Sequence, residues 1–152
     1  MRKKEWRGMV RSVLRQAMRF SILRQSLRRL TSVGLIPSYL WKRLPVEGVF
    51  SVSLVDGKSF LYYATPNDGI ARSLYWRGIE SWESETIPVF YTLAQNASLV
   101  LDIGANTGVY TLLACTANPT TKVISFEPVP SVYDKLVENV CVNSRTYCVV
   151  LK

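Results

Sequence analysis

Along this chain the spacing of apolar residues changes several times, and each change marks a new kind of element. Over the first thirty positions Trp6, Val10, Val13, Ala17, Phe20, Leu23, Leu27 and Leu30 recur every three or four residues. That is one helix face, and Arg7, Arg11, Arg15 and Arg19 follow another. Gly34 and Pro37 then stop the helix. Residues 46–65 switch to alternation, with Val49 to Val55 running out and Phe60-Leu61-Tyr62-Tyr63 returning. Asp56-Gly57 between them predicts a β-hairpin closed by a two-residue turn of positive φ. A loop containing Pro66-Asn67-Asp68-Gly69 leads into an aromatic stretch, Leu74-Tyr75-Trp76 and then Trp82-Glu83-Ser84-Glu85, to which the pattern assigns no element. Pro88 suits the first turn of a helix, predicted from about Thr86 to Gln95.

From Ser98 short apolar runs alternate with helical stretches. Leu99 to Ile103 predicts a buried-type strand, Val109 to about Ala117 a helix, and Val123 to Glu127 a second strand. Ser131 to about Val142 is a second helix, and Tyr147 to Leu151 begins a third strand. Strands that alternate with helices predict an α/β fold, a parallel sheet with helices on its faces. With a lone third strand the doubly wound sheet would be only half built, so a truncated chain is expected.

Charge changes the picture because it is unevenly placed. Residues 1–44 hold twelve Lys/Arg against the single acid Glu5, a local charge of +11, whereas residues 45–152 hold seven bases and ten acids, or −3. The basic character belongs to the extension, so it does not by itself make the protein a nucleic-acid binder, and nucleic acid is not the expected partner. The extension's apolar stripe either docks on the protein's own core or a second copy, or lies on an anionic membrane surface through residues 1–30. A mitochondrial transit peptide fits less well, given Glu5 and the lack of a cleavage signature. No apolar run is long enough to span a bilayer and no secretory signal is evident, so the expected location is cytoplasmic, with peripheral membrane contact as the variant. Cys115, Cys141 and Cys148 have no metal-ligand spacing and read as small apolar fillers. The absence of histidine excludes His-dependent chemistry within the chain, and no metal site is expected.

Candidate chemistry sits in Val100-Leu101-Asp102-Ile103-Gly104-Ala105-Asn106-Thr107-Gly108-Val109-Tyr110. A strand that feeds a glycine-bearing turn into a helix puts backbone N–H groups and a side-chain-free surface at the sheet's carboxyl edge. Glu127, at the end of the next strand, is placed to accept hydrogen bonds from both hydroxyls of a ribose. A P-loop would need Lys and Ser/Thr after the last glycine, where Val109 and Tyr110 stand; a dinucleotide fingerprint would need glycines where Asn106 and Val109 stand. A nucleoside with an amino-acid tail and no phosphate fits, and S-adenosyl-L-methionine is such a ligand. An unrelated tight strand-to-helix turn and a solvated Glu127 form the bland alternative. Tyr110 and Phe126 read as core, and Trp76 and Trp82 as packing under the hairpin.

The run from Leu101 to Tyr110, followed by Phe126-Glu127-Pro128, Glu138-Asn139 and Asn143, resembles the FkbM family of methyltransferases. Gly78, Trp82-Glu83 and the Asp56-Gly57 hairpin match the approach to that motif, and the resemblance spans about residues 48–145. It implies a Rossmann-like class I methyltransferase fold, incomplete at the C-terminus and preceded by the hairpin and the basic amphipathic helix. The expected organisation is 1–44 as a helical extension, 45–97 as hairpin and helical run-up, and 98–152 as the N-terminal half of the methyltransferase domain. The resemblance further implies that Asp102, Gly104, Ala105 and Asn106 surround the methionine part of S-adenosyl-L-methionine, that Gly108 belongs to the same cofactor site, that Glu127 holds the ribose, and that Glu83 approaches the cofactor's charged end. It implies O-methylation of a small-molecule or saccharide acceptor. No catalytic base is identifiable, and the chain alone is expected to be inactive. The alternatives are a non-catalytic truncated fragment, or a peripheral-membrane or nucleic-acid-binding protein that acts through its basic helix.

Overall fold

A computed structural model describes residues 21–144 and 148–152. The first twenty positions, with Trp6 to Phe20 of the apolar stripe and the arginines at 7, 11, 15 and 19, lie outside the described residues, as does Tyr147. Among the described residues the first elements are two helices, α1 (Ser21–Ser32) and the single turn α2 (Ser38–Trp41). Gly34 ends α1 as expected: with φ at 81° it sends its N–H back to Thr31 O, and Leu35 N–H reaches Leu30 O. These are the paired bonds of a Schellman stop, which needs a left-handed residue at that point.

The hairpin forms from β1 (Gly48–Ser53) and β2 (Ser59–Ala64), antiparallel from Gly48 opposite Ala64 to Ser53 opposite Ser59. Its turn differs from the expected one. Leu54 N–H bonds Lys58 O, and of the loop residues Val55, Asp56 and Gly57 only Gly57 has positive φ, at 82°. A two-residue turn of the Asp-Gly kind needs positive φ at both residues, so the loop closes over three residues with glycine in the left-handed place. Alternation then turns Phe50, Val52, Leu54, Phe60, Tyr62 and Ala64 inward.

The aromatic stretch contains a helix that the pattern did not assign, α3 (Gly69–Arg77). Asp68 starts it, its carboxylate accepting the Ala71 N–H at 2.9 Å, so Asp68-Gly69 is an N-cap rather than a turn tip. Leu74 and Trp76 are fully buried, with Trp76 in the same core as the hairpin. A 3-10 turn (Ile79–Ser81) and α4 (Thr86–Ala94) follow, with Pro88 in the first turn of α4.

The remaining elements are β3 (Leu99–Ile103), α5 (Val109–Ala117), β4 (Lys122–Phe126), α6 (Pro130–Cys141) and β5 (Cys148–Leu151). The strands form a parallel sheet in the order β3-β4-β5, with Ile103 opposite Phe126 and Phe126 opposite Leu151. The protein is therefore α/β, as its sequence pattern indicates. Both crossovers advance across the sheet in the same direction, and a fixed crossover hand then lays α5 and α6 on one face. Val123 and Ser125 are buried beneath them. The other face carries Leu99, Leu101, Ile103, Phe126, Val149 and Leu151, between 37% and 80% exposed. The expectation of helices on both faces thus holds for one face among the described residues, and Phe126 is a surface residue instead of core. Cys115 is buried, whereas Cys141, on the outer side of the last turn of α6, is exposed and fills no core space.

The sheet's two faces should respond differently to mutation. Leu112→Ala, at a fully buried position of α5, should cost about 2–5 kcal/mol. Leu101→Ser, 55% exposed on the other face, should stay within about 1 kcal/mol of the parent. Urea unfolding of both variants measures the contrast, and equal losses would mean that the second face is covered.

Candidate functional site

The carboxyl ends of β3 and β4 meet at the segment that the sequence singles out. Past Ile103 the chain turns at Gly104, with φ at 77° and both the Gly104 and Ala105 N–H groups bonded to Phe126 O at 2.9 Å. Asn106 takes a left-handed φ of 51°, and its N–H bonds Glu127 Oε2 at 2.9 Å. The other oxygen of Glu127 accepts the Val129 N–H at 2.8 Å, so one buried carboxylate ties the end of β4 to the loop after β3. Ionised carboxylates have about four acceptor positions. Two are used here, which leaves capacity for a ribose diol.

These bonds revise what the loop offers a ligand. The amides of Gly104, Ala105, Asn106 and Gly108 are engaged within the protein, so the loop presents chiefly shape. A methyl group placed on Gly104 would meet nothing within 4 Å, and the residue is exposed, which makes an open cradle with backbone at its floor. Ala105 is buried and Asn106 exposed. Gly108 is turned the other way: it is buried, its φ is 91°, and a methyl group there would lie 2.6 Å from Leu136 Cδ1. Gly108 thus permits close packing of α5 on α6 and is not on the open surface.

Asp102, next to last in β3, is half-buried, and its Oδ2 accepts the hydroxyl of Thr111 in the first turn of α5 at 2.5 Å. Thr111 also lies 2.7 Å from Ser125 Oγ. Burial holds the Asp102 carboxyl above its ordinary range, opposed by the hydroxyl and backbone N–H of Thr111. Below it, the Cys148 thiol is pulled down by its hydrogen bond with Cys115. Glu83 stands on the rim with a left-handed φ of 47°, exposed, its carboxylate held by the Tyr110 hydroxyl. Burial, then Glu83, pushes the Tyr110 phenol up to about 12. Tyr110 is half-buried between Trp82 and Phe90, with ring centroids at 5.9 and 4.8 Å, so Trp82 packs on Tyr110. The structure therefore brings Asp102, Gly104, Asn106 and Glu127 to one sheet edge, and links Glu83 to it through Tyr110.

A second tier of polar residues, whose supporting roles the sequence did not indicate, supports the loop from below. Tyr62 Oη lies 2.6 Å from Thr107 Oγ1 and 3.4 Å from Asp68 Oδ2. Burial raises the Tyr62 phenol well above its usual range, so it stays protonated. Asn139 of α6 donates to Thr107 O at 2.9 Å and accepts the Tyr63 N–H at 2.7 Å. One turn later Asn143 accepts from Leu61 N–H and donates to Leu61 O, completing the outer edge of β2 as a neighbouring strand would. The only sequence signal was the pair Asn139 and Asn143 itself, two amides four residues apart on one helix face.

Two variants test this construction. Asn139→Leu strips partners from Tyr63 N–H and Thr107 O, and should cost about 1–3 kcal/mol per orphaned group in urea unfolding. For Asp102 the folded pKa is raised, so the folded protein holds that proton to higher pH than the unfolded chain does. Its stabilising contribution is complete below the unfolded carboxyl range near 3.8 and is lost as pH climbs through the folded value. The stability of the parent relative to Asp102→Asn should accordingly fall with rising pH through that window. Parallel curves would show that Asp102 is not desolvated.

No family profile matches this sequence, and neither does any curated protein. Among solved structures the chain is similar to an SAM-dependent methyltransferase from Agrobacterium tumefaciens, at 15% identity and a TM-score of 0.47, over 77% of this chain and 41% of that one. It is also similar to a coclaurine N-methyltransferase bound to N-methylheliamine and SAH, at 13% identity and a TM-score of 0.40, over 100% of this chain and 44% of that one. A third is a protein-L-isoaspartate O-methyltransferase, at 11% identity and a TM-score of 0.39, over 84% of this chain and 41% of that one. The chain thus spans less than half the length of each of these proteins.

Proposed function

We propose that the carboxyl edge of β3 and β4 is a nucleoside site that takes S-adenosyl-L-methionine, and that the protein is a methyltransferase of the FkbM kind. The observation that carries this reading is Glu127. Its carboxylate is fixed by the amides of Asn106 and Val129, beside a loop whose Gly104 opens onto free space. A carboxylate oriented in this way meets a ribose diol without first losing rotamer freedom. Asp102 and Asn106 flank the position of the amino-acid tail, and Glu83 stands on the rim to face its ammonium group.

When bound, the cofactor would supply a methyl group on a sulfonium sulfur for in-line displacement by an acceptor hydroxyl. The residues of this chain hold and orient that cofactor, and alignment of two reactants is itself a large part of such catalysis. The acceptor is a sugar or natural-product hydroxyl, a choice that rests on the resemblance in the sequence. Histidine is absent from the chain, so the acceptor's proton leaves to another base or to water.

Isothermal titration of the 152-residue chain with S-adenosyl-L-methionine, S-adenosylhomocysteine and NAD tests the reading. The first two should bind, and a 2′,3′-dideoxy analogue should bind at least tenfold more weakly, about 1.4 kcal/mol, because Glu127 loses both donors. Tighter binding of NAD, or equal binding of the dideoxy analogue, would remove the assignment.

A further inference from the structure

We propose that residues 30–43 form an interfacial anchor that seats the protein on an anionic lipid bilayer. The inference is independent of the nucleoside site. Within this stretch Leu30, Val33, Leu35, Tyr39 and Leu40 are 43%, 70%, 70%, 62% and 45% exposed, five large side chains in eleven positions. Single exposed apolar residues are ordinary, whereas a cluster of this kind marks a contact surface.

The stretch is not a loose tail. Trp41 is buried, and Leu27, Ile36 and Leu44 pack against the same core as the hairpin. Thr31 is fully buried, its carbonyl accepts from Arg77, and Arg28 lies 4.9 Å over the Tyr75 ring while reaching Ser51 O. The core thus already has its apolar partners from this segment. The Schellman stop at Gly34 fixes the reversal that leaves the second apolar set facing outward.

Charge selects the occupant. Arg29, Lys42 and Arg43 are exposed around the patch, and no acid occurs between Glu5 and Glu47. A second copy would bring one +11 stretch against another, which opposes association. An RNA strand would satisfy the cations but gives nothing to valine and leucine side chains. An anionic bilayer satisfies both, with cations at the phosphates, aliphatic groups below them, and Tyr39 at the interface. No helix among the described residues is long and apolar enough to cross a membrane, so the contact is with its surface.

Flotation of the full chain with vesicles of phosphatidylcholine alone, and with about one-third phosphatidylglycerol, tests the proposal. Binding should require the anionic lipid and should weaken steeply with salt. Val33→Ser/Leu35→Ser/Tyr39→Ser should weaken it at least tenfold, and so should Lys42→Glu/Arg43→Glu, which keeps the anchor if the triple variant fails to fold. Equal binding to neutral vesicles would overturn the proposal. So would full binding by the charge variant, or by a triple variant of unchanged circular dichroism. Loss of vesicle binding to competing single-stranded RNA by the parent and the triple variant alike would assign the surface to nucleic acid instead.

Discussion

One buried amide bonds three parts of this protein together at a single point. Asn139 reaches from α6 to the carbonyl of Thr107 and to the amide of Tyr63, so one side chain bonds the helix to both the hairpin and the loop after β3, alongside the Tyr62–Thr107 and Asn143–Leu61 bonds. It is fully buried, as is Tyr62 beside it. In such a place an unpaired donor or acceptor costs more than an average hydrogen bond returns. The three parts consequently hold together or separate together. The hairpin lies far from the sheet edge in sequence, yet Tyr62 fixes the side chain of Thr107 in the middle of the candidate loop.

The sheet sets the second constraint. Parallel strands are normally covered on both faces, and here the residues that turn away from α5 and α6 are as apolar as those beneath them. Leu99, Leu101 and Ile103 on β3 have the composition of buried positions and the exposure of surface ones. The strands were therefore built for a two-sided layer, and helices cover one side among the described residues. The site escapes this incompleteness because its contacts lie along the carboxyl edge and on the covered side, where Asp102, Thr111 and Ser125 form their chain.

Much of this arrangement was legible from residue order. The β3-loop-α5 unit and the β4 and α6 boundaries came within a residue or two, because short apolar runs and helical spacing are local signals. The helix at Gly69–Arg77 was missed because Asp68-Gly69 reads as a turn until its carboxylate is seen on the Ala71 amide. Asp56-Gly57 was read as a two-residue turn of positive φ, of which only Gly57 has it, because the number of residues in the loop depends on which pair closes it, a fact of register. The placement of Glu127 and Gly104 at the carboxyl edge of the sheet was legible from position in the motif. The supporting roles of Tyr62, Thr107 and Asn139 were not, because each depends on a partner at least 32 residues away. Gly108 was rightly marked as special, but for packing on Leu136.

Glu127 shows why the loop's internal bonds favour a binding role. A carboxylate free in solvent would have to give up rotamer freedom and water to grip a diol, and those costs reduce affinity. At this sheet edge the amides of Asn106 and Val129 have already set its orientation. The same bonds hold Asn106 in a left-handed conformation that asparagine tolerates better than most residues. Loop shape and carboxylate direction are thus one geometry. A ligand that used only the carboxyl group would gain little from the open Gly104 cradle, and one that filled only the cradle would leave the remaining acceptor positions of Glu127 unused. On the proposed reading, selectivity at this edge would follow from the requirement that a single molecule do both.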